Sequence, residues 1–556
     1  MRCRLARRTC APLVLLLVVT AMASPAGAER PRIYALTGAT VVPEPGESLE
    51  NAAVLIRDGL IEAVGTDVTV PPDAVEIDAS GLWIYPGLID PQTTLGIRGE
   101  SSERGPTSPF GESEERATPG ANHPVPGIHP ERRVLDRLVP FEGDGVRQVE
   151  RYRNLGYTVA LAVPEDGIFR GRSVAILLQD DVAVADMVLR DDVAQHVGFG
   201  RARGSYPGSL MGVTAAIRQA LLDGQRYTVW AERYAANPVG MRRPDTLAAY
   251  AALAPVLSGA QPVVFALEDP LDLELVDALA DEFDLLAVIS ATGEEWAMAS
   301  RVASAGHALI LPLARPDEPE VDDDDDALDV SLREMRAYLE APSAPARFHE
   351  AGVELALTTS GLSSLASFGK NLRRVIERGL PEDAALAALT TVPAKILGID
   401  SVAGTLEPGK IANVVVADGP LFAEDTKVRR IYVDGREYRV EQKEKPTGDP
   451  NAVVDPRGEW SVTFDFGRGA AERTWKIEGE RGAYKGSAET RTGTVDFEEI
   501  TLEGNVMTVT FPSRGGFSTE VTVVVEGDTF HGTAEMGPRS ITLEGTRISG
   551  PEGGGQ

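Results

Sequence analysis

Apolar and polar positions follow three different rhythms along this chain. Residues 33–82 alternate as strands do. Ala53-Val54-Leu55-Ile56 runs into Arg57-Asp58-Gly59-Leu60, an Asp-Gly hairpin signal, and Leu60–Gly65 is the return strand. From about residue 145 the rhythm changes to helices alternating with short apolar runs. Helices are predicted at 146–153, 210–223, 271–284, 294–305, 366–379 and 382–389. Buried strands are predicted at 157–163, 173–178, 262–267, 285–290, 308–312 and 352–359. Such alternation predicts βα units around a parallel sheet. Beyond residue 459 strand alternation returns, as in Trp460–Phe466, Val506–Phe511 and Val521–Asp528. That spacing predicts a meander closed into a small barrel or sandwich.

A chain of 556 residues divides into two to four domains at roughly 100–200 residues each. Its 43% hydrophobic and 25% charged content allow a large core. The N-terminus carries Arg2, Arg4, Arg7 and Arg8, then an apolar run from Leu13 to Met22 and the small residues Ala26-Gly27-Ala28. That order is a secretory signal peptide cut after Ala28, which puts the mature protein in the periplasm or outside the cell with no membrane attachment. A retained anchor helix is the alternative, although a spanning helix needs about 20 apolar residues. Arg7-Arg8 hints at twin-arginine export. Both cysteines, Cys3 and Cys10, lie in this leader, so the mature chain would have no disulfide and no thiolate ligand or nucleophile. The net charge of −30 argues against nucleic acid and anionic membranes as partners.

The stretch Trp83-Ile84-Tyr85-Pro86-Gly87-Leu88-Ile89-Asp90-Pro91-Gln92-Thr93-Thr94 reads as a buried strand leaving a Pro-Gly turn. It resembles the first barrel strand of the amidohydrolase superfamily, Pro-Gly-Leu-Ile-Asp-x-His-x-His. Gly404–Val416 with Ile431–Arg436 is similar to the family's closing pattern, with Asn413 in place of the usual Asp, and Thr390–Ile399 resembles the segment after the barrel. Ala162–Ser173 and the helix after Ser209-Leu210-Met211-Gly212 are similar to the exported, imidazolonepropionase-like branch. The resemblance covers roughly 33–440. It implies an α/β fold: a (β/α)8-type barrel over 86–399, a flanking composite β-sandwich from 29–85 and 400–440, a linker at 441–458 and an all-β domain at 459–548.

The resemblance also implies a metal-activated water, held by histidines on several strands and an aspartate on the last. Neutral imidazoles and a carboxylate bind the cation, and the cation lowers the pKa of its water to about 7. At those positions this chain has Gln92, Thr94, Phe265, Ala291 and Thr359, and no lysine at a strand end before 262 that could be carboxylated. Phe265 is expected to put a ring into the cation's space. The long Gly- and Pro-rich loop 97–131 follows the first strand and holds His123 and His129. His196 lies between predicted elements, His307 and His349 near strand starts, and His531 in the all-β domain. Asp322–Asp326 reads as a solvated loop without EF-hand spacing.

Three readings stay open on the sequence. The first is a non-catalytic binding or partner subunit without cofactor, acting with a small-molecule ligand, an active amidohydrolase paralogue or a second copy. The second is a working hydrolase of non-peptide C–N bonds (cyclic amides or peptide-like compounds), with Zn or another divalent metal and an atypical site using His123, His129, His196 or acidic residues from long loops. The third is a carrier holding an apolar ligand in the C-terminal β-domain.

Overall fold

The computed structural model describes residues 33–550 except 99–122, 126, 202–205, 317–318, 320–329, 363, 441–447, 450–451, 466–469, 481–482, 491–492, 498, 512–518 and 537–538. The leader with Ala28, the Asp322–Asp326 run and most of the loop 97–131 lie outside the described residues.

In chain order the first strands are β1 (Ile33–Val41), β2 (Leu49–Arg57), β3 (Leu60–Gly65), β4 (Val75–Asp78), β5 (Trp83–Pro86) and β6 (Leu88–Thr93). The α/β region adds β7 (Tyr157–Ala162), β8 (Phe169–Arg172), β9 (Val174–Leu177), β10 (Val188–Arg190), β11 (Gln195–Gly198), β12 (Val263–Ala266), β13 (Ala287–Ser290), β14 (Ala308–Pro312) and β15 (Leu355–Thr358). Then come β16 (Val414–Ala417), β17 (Val428–Val433) and β18 (Arg436–Arg439).

The two segments that flank the α/β region pair directly. β5 lies antiparallel to β16, with Ile84 opposite Val416, in one eight-stranded sheet ordered β18-β17-β16-β5-β1-β2-β3 with β4 on β1. The sheet rolls until Leu60 meets Ile411 across an isolated bridge. The sandwich expected from the sequence therefore takes the form of a single rolled sheet around Leu36, Val54, Ile84, Val414 and Tyr432. Asn413 joins it to the next layer: its carbonyl accepts from Gly87 N at 2.9 Å and its Oδ1 from Asp434 N at 3.0 Å.

The α/β strands form two sheets. One is ordered β10-β9-β7-β6, the other β15-β14-β13-β12-β11-β8. β6 and β7 are parallel, and so are β11 through β15. The predicted run of uniformly parallel strands fails at one place. β9 is antiparallel to β7 and β8 is antiparallel to β11. The chain turns back between β7 and β8, in residues 163–168, and inside β8 Gly171 sits at φ +111° with the Arg132 carbonyl 2.7 Å from where a Cβ would sit, so only glycine fits.

Alternation sorts the strand residues into two faces. Phe265, Ile289, Leu311 and Leu357 pack with the helices 273–283, 299–305, 344–350 and 367–377 in the outer core. Val264, Val288, Ile310 and Ala356 meet Ile89, Val159, Leu161 and Leu177 of the other sheet in a separate inner core, completed by Leu397, Ile399, Ile431 and Val433. The inner faces of the two sheets thus share one apolar interior. A buried ion cluster ties it to the rolled sheet: Asp180 pairs with Arg153 at 2.6 Å and Arg436 at 3.1 Å, and Arg153 stacks on Tyr438.

The helix predicted at 210–223 runs on to Ala236, because its second half is polar enough to stand in solvent. The C-terminal region is a nine-stranded antiparallel meander, and Phe497 N donates to Gly486 O between strands at its two margins. Its interior is filled by Trp460, Trp475 and Phe530, with ring centroids 5.0–5.6 Å apart for the pairs Trp460–Phe530 and Trp475–Phe530. Such filling suits a packed accessory domain better than a ligand carrier.

At the turn between β5 and β6, a Cβ on Gly87 would lie 2.1 Å from Thr158 Oγ1. Gly87→Ala is expected to destabilise the protein by about 2–3 kcal/mol, read as a lower urea midpoint with an unchanged slope.

Candidate functional site

Two of the positions named in the sequence, Gln92 and Thr359, meet where β6, β13 and β15 end. Asp90, fully buried on β6, is their hub. Its Oδ1 accepts from Gln92 N at 3.1 Å and Thr358 Oγ1 at 2.6 Å, and its Oδ2 from Thr359 N at 3.1 Å and Thr359 Oγ1 at 2.5 Å. Thr358 Oγ1 is also 3.0 Å from the Gln92 carbonyl, and Ser290 Oγ donates to Gln92 Oε1 at 2.6 Å. Tyr152 OH lies 3.3 Å from Thr359 Oγ1. Burial pushes the Asp90 carboxyl up, and the four donors pull against it. The Tyr152 phenol is pushed up to about 12, by burial first and then by the Asp90 charge.

Of the five expected ligand positions, Gln92 and Thr359 enter this network. Thr94 is exposed just past β6. Phe265 is a correction. It faces the helices, fully buried and stacked on Phe199 at 6.3 Å, and puts no ring into the interior. Its neighbours Val264 and Ala266 hold the inner positions. Ala291 likewise packs toward the outer core while Ser290 points inward, and the loop after it is fixed by Glu295, which accepts from Thr292 and Gly293. The physical reason is common to both: period-two alternation separates the faces but does not say which is interior.

The donors at these strand ends do not fit a catalytic divalent metal. They are an amide and hydroxyls bonded to one another around a single carboxylate. Among the described residues no group of three or more His, Cys, Asp and Glu could hold an ion.

His123 and His129 come within reach of each other's charge. His123 Nδ1 accepts from Val125 N at 3.1 Å, its ring meets Tyr250 edge-on at 5.6 Å, and burial lowers its pKa. His129 Nδ1 is 3.6 Å from Glu131. His196 stands apart from them on the inner face. It is in register with Val264, 5% exposed, its Nε2 has no partner, and its pKa falls to about 3 through burial and the nearby Arg170 charge. His307 pairs with Asp277 at 3.1 Å.

Arg170 was not singled out in the sequence. Phe169 faces the outer core, and a Cβ on Gly198 would fall 2.3 Å from Arg170 Nη2, so the guanidinium lies over Gly198 on the inner face. The available signal was an arginine alternating with buried residues in Ile168-Phe169-Arg170-Gly171.

Among the described residues, seven parallel strands with helices against one face and a rolled sheet beside them define a mixed α/β scaffold with an all-β C-terminal region. Residues 274–441 match the model of the Amidohydrolase family. Over that stretch, the end of the α/β region and the strands that close the rolled sheet, the chain is similar to that family. The match begins after β12, so the first-strand positions lie outside it. A solved amidohydrolase from Thermotoga maritima MSB8 shares the fold, with a TM-score of 0.58 at 23% identity over 73% of this chain and 100% of that one. A beta-aspartyl dipeptidase from Fervidobacterium islandicum AW-1 aligns over 74% of this chain and 100% of that one at 13% identity, but its TM-score of 0.40 carries no weight. No curated protein matches.

Two substitutions probe the buried groups. Asp90→Ala leaves four donors without an acceptor and is expected to cost about 3 kcal/mol in urea unfolding. His196 is held neutral below its ordinary value of about 6.5, so the unfolded chain binds the proton first. Its contribution is intact above about pH 6.5 and is lost as the pH falls toward about 3. His196→Asn should therefore recover about 2 kcal/mol of the stability lost near pH 5. Asp90 has the opposite sign, because a raised carboxyl makes folding less favourable as pH rises through the window above about 3.9. Asp90→Asn should remove that slope.

Proposed function

We propose that this chain is an exported amidohydrolase-fold protein of the imidazolonepropionase-like branch that works as a non-catalytic binding or partner subunit. Its core is a (β/α)8-type barrel in which the antiparallel pair β8 and β9 interrupts the ring. It binds a small molecule inside the strand ends, and it acts with an active paralogue or a second copy. Cleavage after Ala28 leaves it in the periplasm or outside the cell.

The observation that supports this reading is the bonding state of the would-be ligands. Gln92 is bonded to Ser290, and Thr358 and Thr359 saturate Asp90. Imidazole donors are absent from all five family positions. Converting such a site to metal binding would require breaking a buried network with no replacement acceptor for the threonines. The net charge of −30 fits an exported protein without nucleic acid partners.

The test is the metal content of the purified chain after dialysis, by plasma mass spectrometry. We expect Zn, Mn and Fe far below one ion per chain and no hydrolysis of cyclic amides on adding them. Stoichiometric retention of any of the three would overturn the proposal.

A further inference from the structure

We propose that the inner face at the ends of β11 and β12 is a binding site for a zwitterionic small molecule of the amino-acid class, its carboxylate on Arg170 and its ammonium on Glu268. The inference rests on the binding-protein reading and names the ligand class of that site.

Register places the parts. Gly198 is opposite Ala266, which is opposite Ser290, which is opposite Ile310 of the inner core. These residues share one face. Because Gly198 has no side chain, the Arg170 guanidinium occupies the space above it. Two residues on, Gly200 is the same kind of opening: a Cβ there would lie 3.0 Å from Glu268 Oε1. Gly198 at the end of β11 and Gly200 just past it thus clear room for one guanidinium and one carboxylate. Larger side chains at 198 and 200 would fill both positions.

The two charges are not satisfied by each other. Arg170 Nε donates to Gly167 O at 3.3 Å, and among the described residues the guanidinium makes no ion pair. Glu268 is exposed and its carboxylate bonds to no described residue, yet its charge acts on Arg170. Behind them His196 Nε2, 95% buried, is aimed at the same face and also lacks a partner. Burial lowers the Arg170 pKa, the cost of holding a cation in a partly dry place without a counter-ion. A planar guanidinium takes a carboxylate through two parallel N–H bonds. A simple anion would meet the repulsion of Glu268, with Asp166 and Glu165 also acting on this locus. A ligand carrying both charges satisfies the cation and the anion together, its neutral body spanning from the one to the other.

Calorimetric titration of the full chain with L-alanine, acetate and methylammonium tests this. L-Alanine should bind one per chain, with acetate and methylammonium at least about tenfold weaker. Arg170→Gln and Glu268→Gln should each weaken L-alanine by at least about tenfold. Glu268 is exposed, so Glu268→Gln keeps the test decisive if Arg170→Gln fails to fold by circular dichroism. No saturable heat with L-alanine overturns the inference. So does acetate binding as well as L-alanine, or either folded variant binding like the parent. Retained metal would sink the binding-protein reading without altering these titrations, and a failed titration leaves the metal result untouched.

Discussion

A carboxylate buried in a protein interior must be surrounded by donors, and in this protein that constraint falls on Asp90. It sits on the first strand of the α/β region and takes every hydrogen bond it can from the last strand and from its own turn. The bonds join strands 268 residues apart in sequence, so they hold β6 against β15 where no ladder pairs them. Charge-assisted bonds of this kind are worth more than neutral ones, and leaving them unmade costs more still. Thr358, Thr359, Gln92 and Ser290 are thereby committed to structure. A site whose polar groups are spent on one another has none left to grip an ion.

The same interior carries a second polar feature. One face of the strands is fully apolar toward the helices. The other is apolar at depth and polar only toward the strand ends, where a guanidinium stands over a glycine. The positive charge there is fixed to the chain, not borrowed from solution. It cannot lower the pKa of a water as a bound cation does, but it can hold an oxyanion. The rolled sheet supports this arrangement from behind, through Asn413 on the Gly87 turn and the Asp180 cluster beneath β7.

Much of the architecture was legible in the sequence because it depends on local rules. Gly87 after Pro86, the Asp58-Gly59 hairpin and the alternating blocks each follow from backbone freedom and periodicity. The positions Gln92 and Thr359 were found because they sit beside a strong local pattern. Phe265 and Ala291 were misplaced because a one-residue choice of face is decided by which helices pack where, and that is a long-range fact. The antiparallel pair β8 and β9 was missed for a similar reason. Its apolar run looks like any buried strand, and only the turn back in residues 163–168 sets its direction. Arg170 was hidden because charge within a short strand reads as an exposed edge, whereas here Gly198 on the neighbouring strand makes room for it inside. Asp90 was quoted as framework, but nothing in its spacing revealed that four donors from two strands would meet on it.

The claim at the centre of this account is that the strand ends are closed by a neutral network around Asp90. Crystals soaked in Mn2+ or Zn2+ and measured at the metal's absorption edge test it most directly. The account predicts no anomalous peak among Asp90, Gln92, Ser290 and Thr359, with their mutual hydrogen bonds unchanged. A strong peak there, with Gln92 swung from Ser290 and Asp90 turned onto the ion, would contradict it.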